Sequence, residues 1–193
     1  MTTKGGYFLS LENFQTKLSR NNVSHMFSFI IRFAHVTATC GKSSAAGSRV
    51  IGGTDAAPGE WPWQAKLRTK DSGFTCGGSL ITPTWVMTAA HCVSSSDDPS
   101  VYSVTMGDLN REISEGTEQE FSVKRVVVHP EYNSPIAINN DIALLQLTRS
   151  ANKTSFVNTV CLPDESEVVP VGTKCYISGK NELVIVSANM HLS

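Results

Sequence analysis

A histidine set among small residues is the first place in this 193-residue sequence where chemistry is legible. His91 stands in TAAHC, Thr88 to Cys92, where Ala89 and Ala90 leave room near its ring. An imidazole titrates close to neutrality, so it suits a general base, a metal ligand or a plain core position. Metal ligation needs companions at ligand spacing, and the sequence contains neither HxxxH nor CxxC. A base must be held still. A bridge from Cys92 to Cys76 would staple the turn beside it, and closing a loop of that length is worth roughly 3 kcal/mol. An imidazole base also wants a carboxylate, because a hydrogen bond to one ring nitrogen fixes the tautomer and stabilises the imidazolium formed in proton transfer. Asp141, at the head of the apolar run in NNDIALLQL, is the candidate. A solvated carboxylate at a strand end is the bland alternative, and sequence spacing does not choose between the two.

The elements that must position these residues are short. Residues 50–179 alternate brief apolar runs with turn residues, the pattern of an all-β domain. Strands are expected at Gln64–Arg68, Gly78–Thr82, Trp85–Ala89, Tyr102–Met106, Glu120–Val128, Asp141–Leu147 and Thr173–Ser178, with breaks at Pro58-Gly59, Asp71–Gly73, Ser94–Pro99, Glu115-Gly116 and Asn133–Pro135. The run KRVVVH lacks clean alternation, which predicts a strand covered on both faces. Residues 1–39 read as a leader. Its apolar patch MFSFIIRF is short and carries Arg32; Val36-Thr37-Ala38 suits signal peptidase, and a misassigned start is the alternative. The stretch GKSSAAGSR reads as an exposed linker. Residues 180–193 depart abruptly in texture from what precedes them.

Composition excludes some functions. Sixteen Lys and Arg against seventeen Asp and Glu, a net charge of -1, give no basic footprint for nucleic acid. No run of eighteen apolar residues suggests a membrane span. Five scattered cysteines without CxxC point to disulfides in an oxidising compartment, and an odd count leaves at least one thiol without a partner in this chain. Asn22 (N-V-S) and Asn152 (N-K-T) fit the glycan-acceptor triplet, which is common by chance.

RVIGGTDAAPGEWPWQ, CGGSLI, TAAHC, NNDIALLQL, VCLP and CYISG occur in one order, from about Cys40 to Gly179. Together they closely resemble the chymotrypsin/trypsin-like serine proteases. The resemblance implies a chymotrypsin-like antiparallel β-barrel, the first barrel nearly complete and the second truncated, in a partial protease domain over residues 50–179 preceded by a propeptide at 40–49. It implies His91 as general base and Asp141 as its orienting acid. Arg49-Val50 falls at the activation cleavage site, which implies an activating trypsin-like protease. Cys76 and Cys92 resemble the pair bracing the histidine loop, and Cys40 and Cys161 the bridge tying propeptide to domain. Cys175 resembles a cysteine whose partner lies further on, in the second barrel, and so stays unpaired here. GDLNREISEGTEQEF resembles the calcium loop of the trypsin group, at Asp108, Asn110, Ile113, Glu115 and Glu118, with Asp108 one methylene shorter than the usual glutamate. No cofactor is implied as required; a structural Ca²⁺ is compatible with these oxygen ligands.

The family's nucleophile sits in a GDSGGP-like motif, and neither that motif nor GxSxG occurs in the sequence. The expectation is therefore a secreted serine-type endopeptidase zymogen by resemblance, acting on polypeptide substrates or meeting protease inhibitors, but inactive as this chain alone. A non-catalytic homologue serving as a binding module or decoy is the alternative. The tail after Gly179 looks like sequence read past a splice junction or a frameshift. Without a second barrel, the Asp141–Leu147 and Val171–Ile177 strands are expected to expose apolar surface.

Overall fold

The computed structural model describes residues 40–43, 56–70, 72–109, 113–164, 167–168, 170 and 178–179. Arg49, Val50, Asn110, Cys175, the leader, the tail and nearly all of the strand expected at 173–178 lie outside the described residues.

Among the described residues six strands form: β1 Gln64–Thr69, β2 Thr75–Thr82, β3 Trp85–Thr88, β4 Tyr102–Met106, β5 Gln119–Val128 and β6 Ala143–Leu147. All neighbours are antiparallel, and pairing of β1 with β4 closes them into a barrel in the order β1-β2-β3-β6-β5-β4. This is the all-β, chymotrypsin-like barrel expected from the sequence. Closure leaves no free strand edge in the barrel wall.

Period-two alternation decides which side chains fill the interior. In β4, Tyr102, Val104 and Met106 point inward, fully buried, while Ser103 and Thr105 are half-buried. Leu67, Leu80, Val86, Phe121 and Leu145 complete the same core. Gly78 in β2 is required by close approach: a Cβ there would stand 2.9 Å from the Met87 carbonyl and from a Val86 methyl.

The apolar strand β6 has no polar face because both faces are covered. Ala143, Leu145 and Leu147 face the barrel interior, and Leu144 joins Ile81 and Met87 in a second cluster outside it. Trp85, Val127, Ile142, Val160 and Leu162 pack on that cluster, and the Val160 N–H donates to the Leu80 carbonyl at 2.9 Å. The expected exposure of β6 is therefore not observed: Leu144 is 2% exposed. The segment around Val160 lies over the sheet face. Val126 to Val128 are likewise half-buried, with Val126 and Val128 on the interior cluster and Val127 on the outer one, as KRVVVH implied. The adjacent exposed pair Lys124 and Arg125 falls where the β5–β6 register slips.

Candidate functional site

Strand pairing brings together two residues fifty positions apart. In β3–β6 the terminal pair is Thr88 with Ala143. His91 follows Thr88 by three residues and Asp141 precedes Ala143 by two, so both emerge at the same end of the barrel. Thr88 is buried, and its hydroxyl donates to the Gly77 carbonyl at 2.7 Å, tying the end of β3 to β2. A 3₁₀ turn, Ala90–Cys92, then lifts His91 out of the core: Ala90 is fully buried and His91 is exposed.

Asp141 grips His91 at two points. Its Oδ2 lies 2.6 Å from His91 Nδ1, and its Oδ1 accepts the His91 backbone N–H at 2.8 Å. One carboxylate thus fixes both the position of the residue and the rotation of its ring. The Asp141 side chain is 17% exposed and that of His91 37%, so the carboxylate is the more shielded partner and the imidazole the more accessible.

Cys76 and Cys92 are disulfide-bonded next to this turn, with Cα atoms 6.2 Å apart. Cys92 Sγ lies 3.5 Å from His91 Nε2. These two sulfurs and a His91 ring nitrogen fall within 4.8 Å of one another. The thiolate is the metal-binding form of cysteine, and sulfurs joined to each other do not supply it. The trio is a brace rather than a metal centre.

The turn after His91 has its own anchor. Tyr102, fully buried, reaches back with its hydroxyl 3.0 Å from the Val93 carbonyl and 2.9 Å from the Ser96 carbonyl. Tyr102→Phe leaves both carbonyls without that donor and is expected to cost about 2 kcal/mol, read as a lower denaturation midpoint with unchanged secondary structure. An unchanged midpoint would remove Tyr102 from the account.

Asp141 is presented by a loop that asparagines stitch. Asn140 has φ 54°, a region asparagine tolerates better than most residues. Its Nδ2 donates to the Glu131 and Ser134 carbonyls at 2.8 and 3.1 Å. Asn133 Oδ1 accepts the Ile138 N–H at 2.7 Å, and Asn139 Nδ2 donates to the Ser134 carbonyl at 3.2 Å. The sequence marks Asn133–Pro135 only as a break, and the NN dipeptide before Asp141 is the signal for the rest of the stitching. The loop also exposes Ile136 and Ile138.

Of the oxygen ligands expected for calcium, Asp108, Ile113, Glu115 and Glu118 are described. Asp108, whose side chain is 5% exposed, forms an ion pair with the ammonium of Lys66. Glu115 Oε2 accepts the Leu109 N–H at 3.2 Å, and Glu118 Oε1 accepts the Glu115 N–H at 2.7 Å. Backbone N–H groups, its own and that of Glu115, hold the Glu118 carboxyl below its ordinary pKa. The carboxylates are engaged by protein donors, and a positive ammonium already stands at Asp108. A Ca²⁺ ion takes six to eight oxygens around itself, and Asn110, the fifth expected position, lies outside the described residues. Lys66→Met leaves a buried carboxylate uncompensated and is expected to cost about 3 kcal/mol, as a fall in thermal midpoint.

Cys40 and Cys161 are also bonded, across a sequence separation of 121. Among the described residues, no helix is long and apolar enough to cross a membrane.

Comparison with known proteins gives a family match and several relatives. The Trypsin family model matches residues 50–183. Chymotrypsin-like elastase family member 3B of Homo sapiens is 45% identical over 147 residues, which cover 73% of this chain and 53% of that protein. Chymotrypsin-like elastase family member 1 of Macaca fascicularis is 41% identical over 158 residues, 80% of this chain and 57% of that protein. Atrial natriuretic peptide-converting enzyme of Mus musculus is 39% identical over 142 residues, 72% of this chain and 13% of that protein. The chain spans about half the length of the elastase relatives it matches.

Proposed function

Because the chain belongs to the chymotrypsin/trypsin-like serine protease family, we propose that it carries the proton-transfer half of a serine endopeptidase site. His91 is the general base and Asp141 the carboxylate that orients it. The observation carrying this reading is the two-point grip of one carboxylate on the ring and the backbone of one histidine. With Nδ1–H donated to Asp141, the lone pair of Nε2 is left to take a proton from a serine hydroxyl. The same nitrogen then returns that proton to the leaving amine of a cleaved peptide. Asp141 stays ionised throughout and stabilises the imidazolium between the two transfers.

The nucleophile is not supplied by these 193 residues, which hold no GDSGGP-like or GxSxG motif. By this reading the chain alone does not hydrolyse peptides. Cleavage after Arg49 by a trypsin-like protease frees Val50, and the Cys40–Cys161 bond keeps residues 40–49 attached afterwards. The disulfides suit an oxidising, extracellular setting. Polypeptide substrates and protease inhibitors are the partners such a site meets. The loop from Asp108 to Glu118 is held by Lys66 in this reading, and chelator or added Ca²⁺ leaves the thermal midpoint unchanged.

Two turnover assays test the proposal. The chain cut after Arg49 is expected to give no hydrolysis sensitive to a serine-directed covalent inhibitor; such hydrolysis would overturn its inactivity alone. The chain joined at Gly179 to the serine-bearing remainder of a related elastase, and cut after Arg49, is expected to cleave peptides, and to lose that activity on His91→Ala. Full activity in the His91→Ala form would overturn the role of the base.

A further inference from the structure

The triplet Asn152-Lys153-Thr154 has no part in the site, and its placement in the fold gives it one of its own. We propose that Asn152 is an acceptor for an N-linked glycan. The inference rests on the extracellular reading above, because the lipid-linked oligosaccharide donor is met only along the secretory route.

Asn152 is exposed, on an irregular segment outside the barrel strands. Its backbone is clamped by one side chain: the Asn152 N–H donates to Gln119 Oε1 at 2.9 Å, and its carbonyl accepts from Gln119 Nε2 at 2.8 Å. Both backbone groups are thereby satisfied by the barrel, and the bulk of a glycan on the side chain displaces no strand pairing. Thr154, the third residue of the triplet, is also exposed. Its hydroxyl oxygen accepts the Phe156 and Val157 N–H groups at 3.1 and 3.0 Å and keeps its own proton to donate.

Location makes the modification compatible with the proposed chemistry. Gln119 begins β5, whereas Val128, at its other end, pairs with Ala143 beside Asp141. About 30 Å of strand separates the two ends. A glycan on Asn152 is therefore placed at the Gln119 end of β5 and not at the Val128–Ala143 pair beside Asp141. In the transfer, Asn152 Nδ2 attacks the anomeric carbon of the donor. A C–N bond forms, the bond from that carbon to the lipid pyrophosphate oxygen breaks, and one amide proton is lost.

The test uses the full chain behind a cleavable secretion signal, with Asn22→Gln present to silence the other triplet. One mobility step removable by an N-glycan endoglycosidase is expected. It should vanish in Asn22→Gln/Asn152→Gln and persist in Asn22→Gln/Thr154→Ser, which keeps a hydroxyl. Identical migration of the Asn22→Gln chain with and without the endoglycosidase would overturn the proposal. The added signal secures delivery, so that failure concerns Asn152 alone. The same chain without the added signal tests the extracellular reading separately: a step seen only with the added signal would leave the acceptor standing and remove the native route.

Discussion

Asp141→Asn, placed in the chain joined to a serine-bearing second half, is expected to lower kcat about 10⁴-fold, the size of drop this substitution gives in the family's worked-out triad. The geometry here says why the loss should be so large. Asp141 Oδ1 accepts the His91 backbone N–H. An asparagine keeps that contact with its amide oxygen, which turns its NH₂ toward Nδ1. An amide NH₂ only donates, so Nδ1 must become the acceptor and the ring proton moves to Nε2. The atom that should take the serine proton is then already protonated. Because the side chain keeps its shape and the backbone contact survives, KM and the thermal midpoint should move little. A kcat within tenfold of the parent would show that the carboxylate does not set the tautomer.

Leu145→Ala is expected to destabilise the barrel by about 4 kcal/mol, a large fraction of the roughly 5–15 kcal/mol by which a domain is stable. Leu145 is fully buried in the middle of β6, paired with Val86 of β3 and Val126 of β5. Its removal opens a cavity at the point where β3 and β6, the strands that carry His91 and Asp141, are held together. Closure limits relaxation, since no strand can move inward without shifting both neighbours. Chemical denaturation checks this, and a loss under 1 kcal/mol would mean that the interior collapses onto the vacancy. Leu144→Ala, on the outer cluster, offers the comparison: its surroundings include half-buried side chains that can close over the gap, so its cost should be smaller.

The strands were legible because turn residues and short-range alternation mark them, and Tyr102–Met106 formed within the bounds that its pattern implied. Two boundaries differ from the pattern by more than one residue. Thr75 to Gly77 belong to β2, since pairing with β1 outweighs the weak strand preference of glycine. Asp141 and Ile142 fall outside β6, because Asn140 takes a positive φ and its carbonyl accepts the Ile142 N–H at 2.8 Å, turning the chain just before the strand. The site was legible only through resemblance. His91 and Asp141 meet through the register of two strands far apart in sequence, and spacing carries no trace of that register. The same holds for Lys66 with Asp108 and for Gln119 with Asn152. Each is a contact across the barrel or its rim, and in each case nothing local in the sequence names the partner.

In the proposed role, Asp141 holds the His91 ring as the Nδ1–H tautomer, with Nε2 left to accept a proton. Nitrogen NMR on histidine-labelled chain at neutral pH reads this directly. Expected are a protonated Nδ1 and an unprotonated Nε2 for His91, exchanged on Asp141→Asn. An Nε2–H tautomer in the parent chain, or the same tautomer in both, would contradict it.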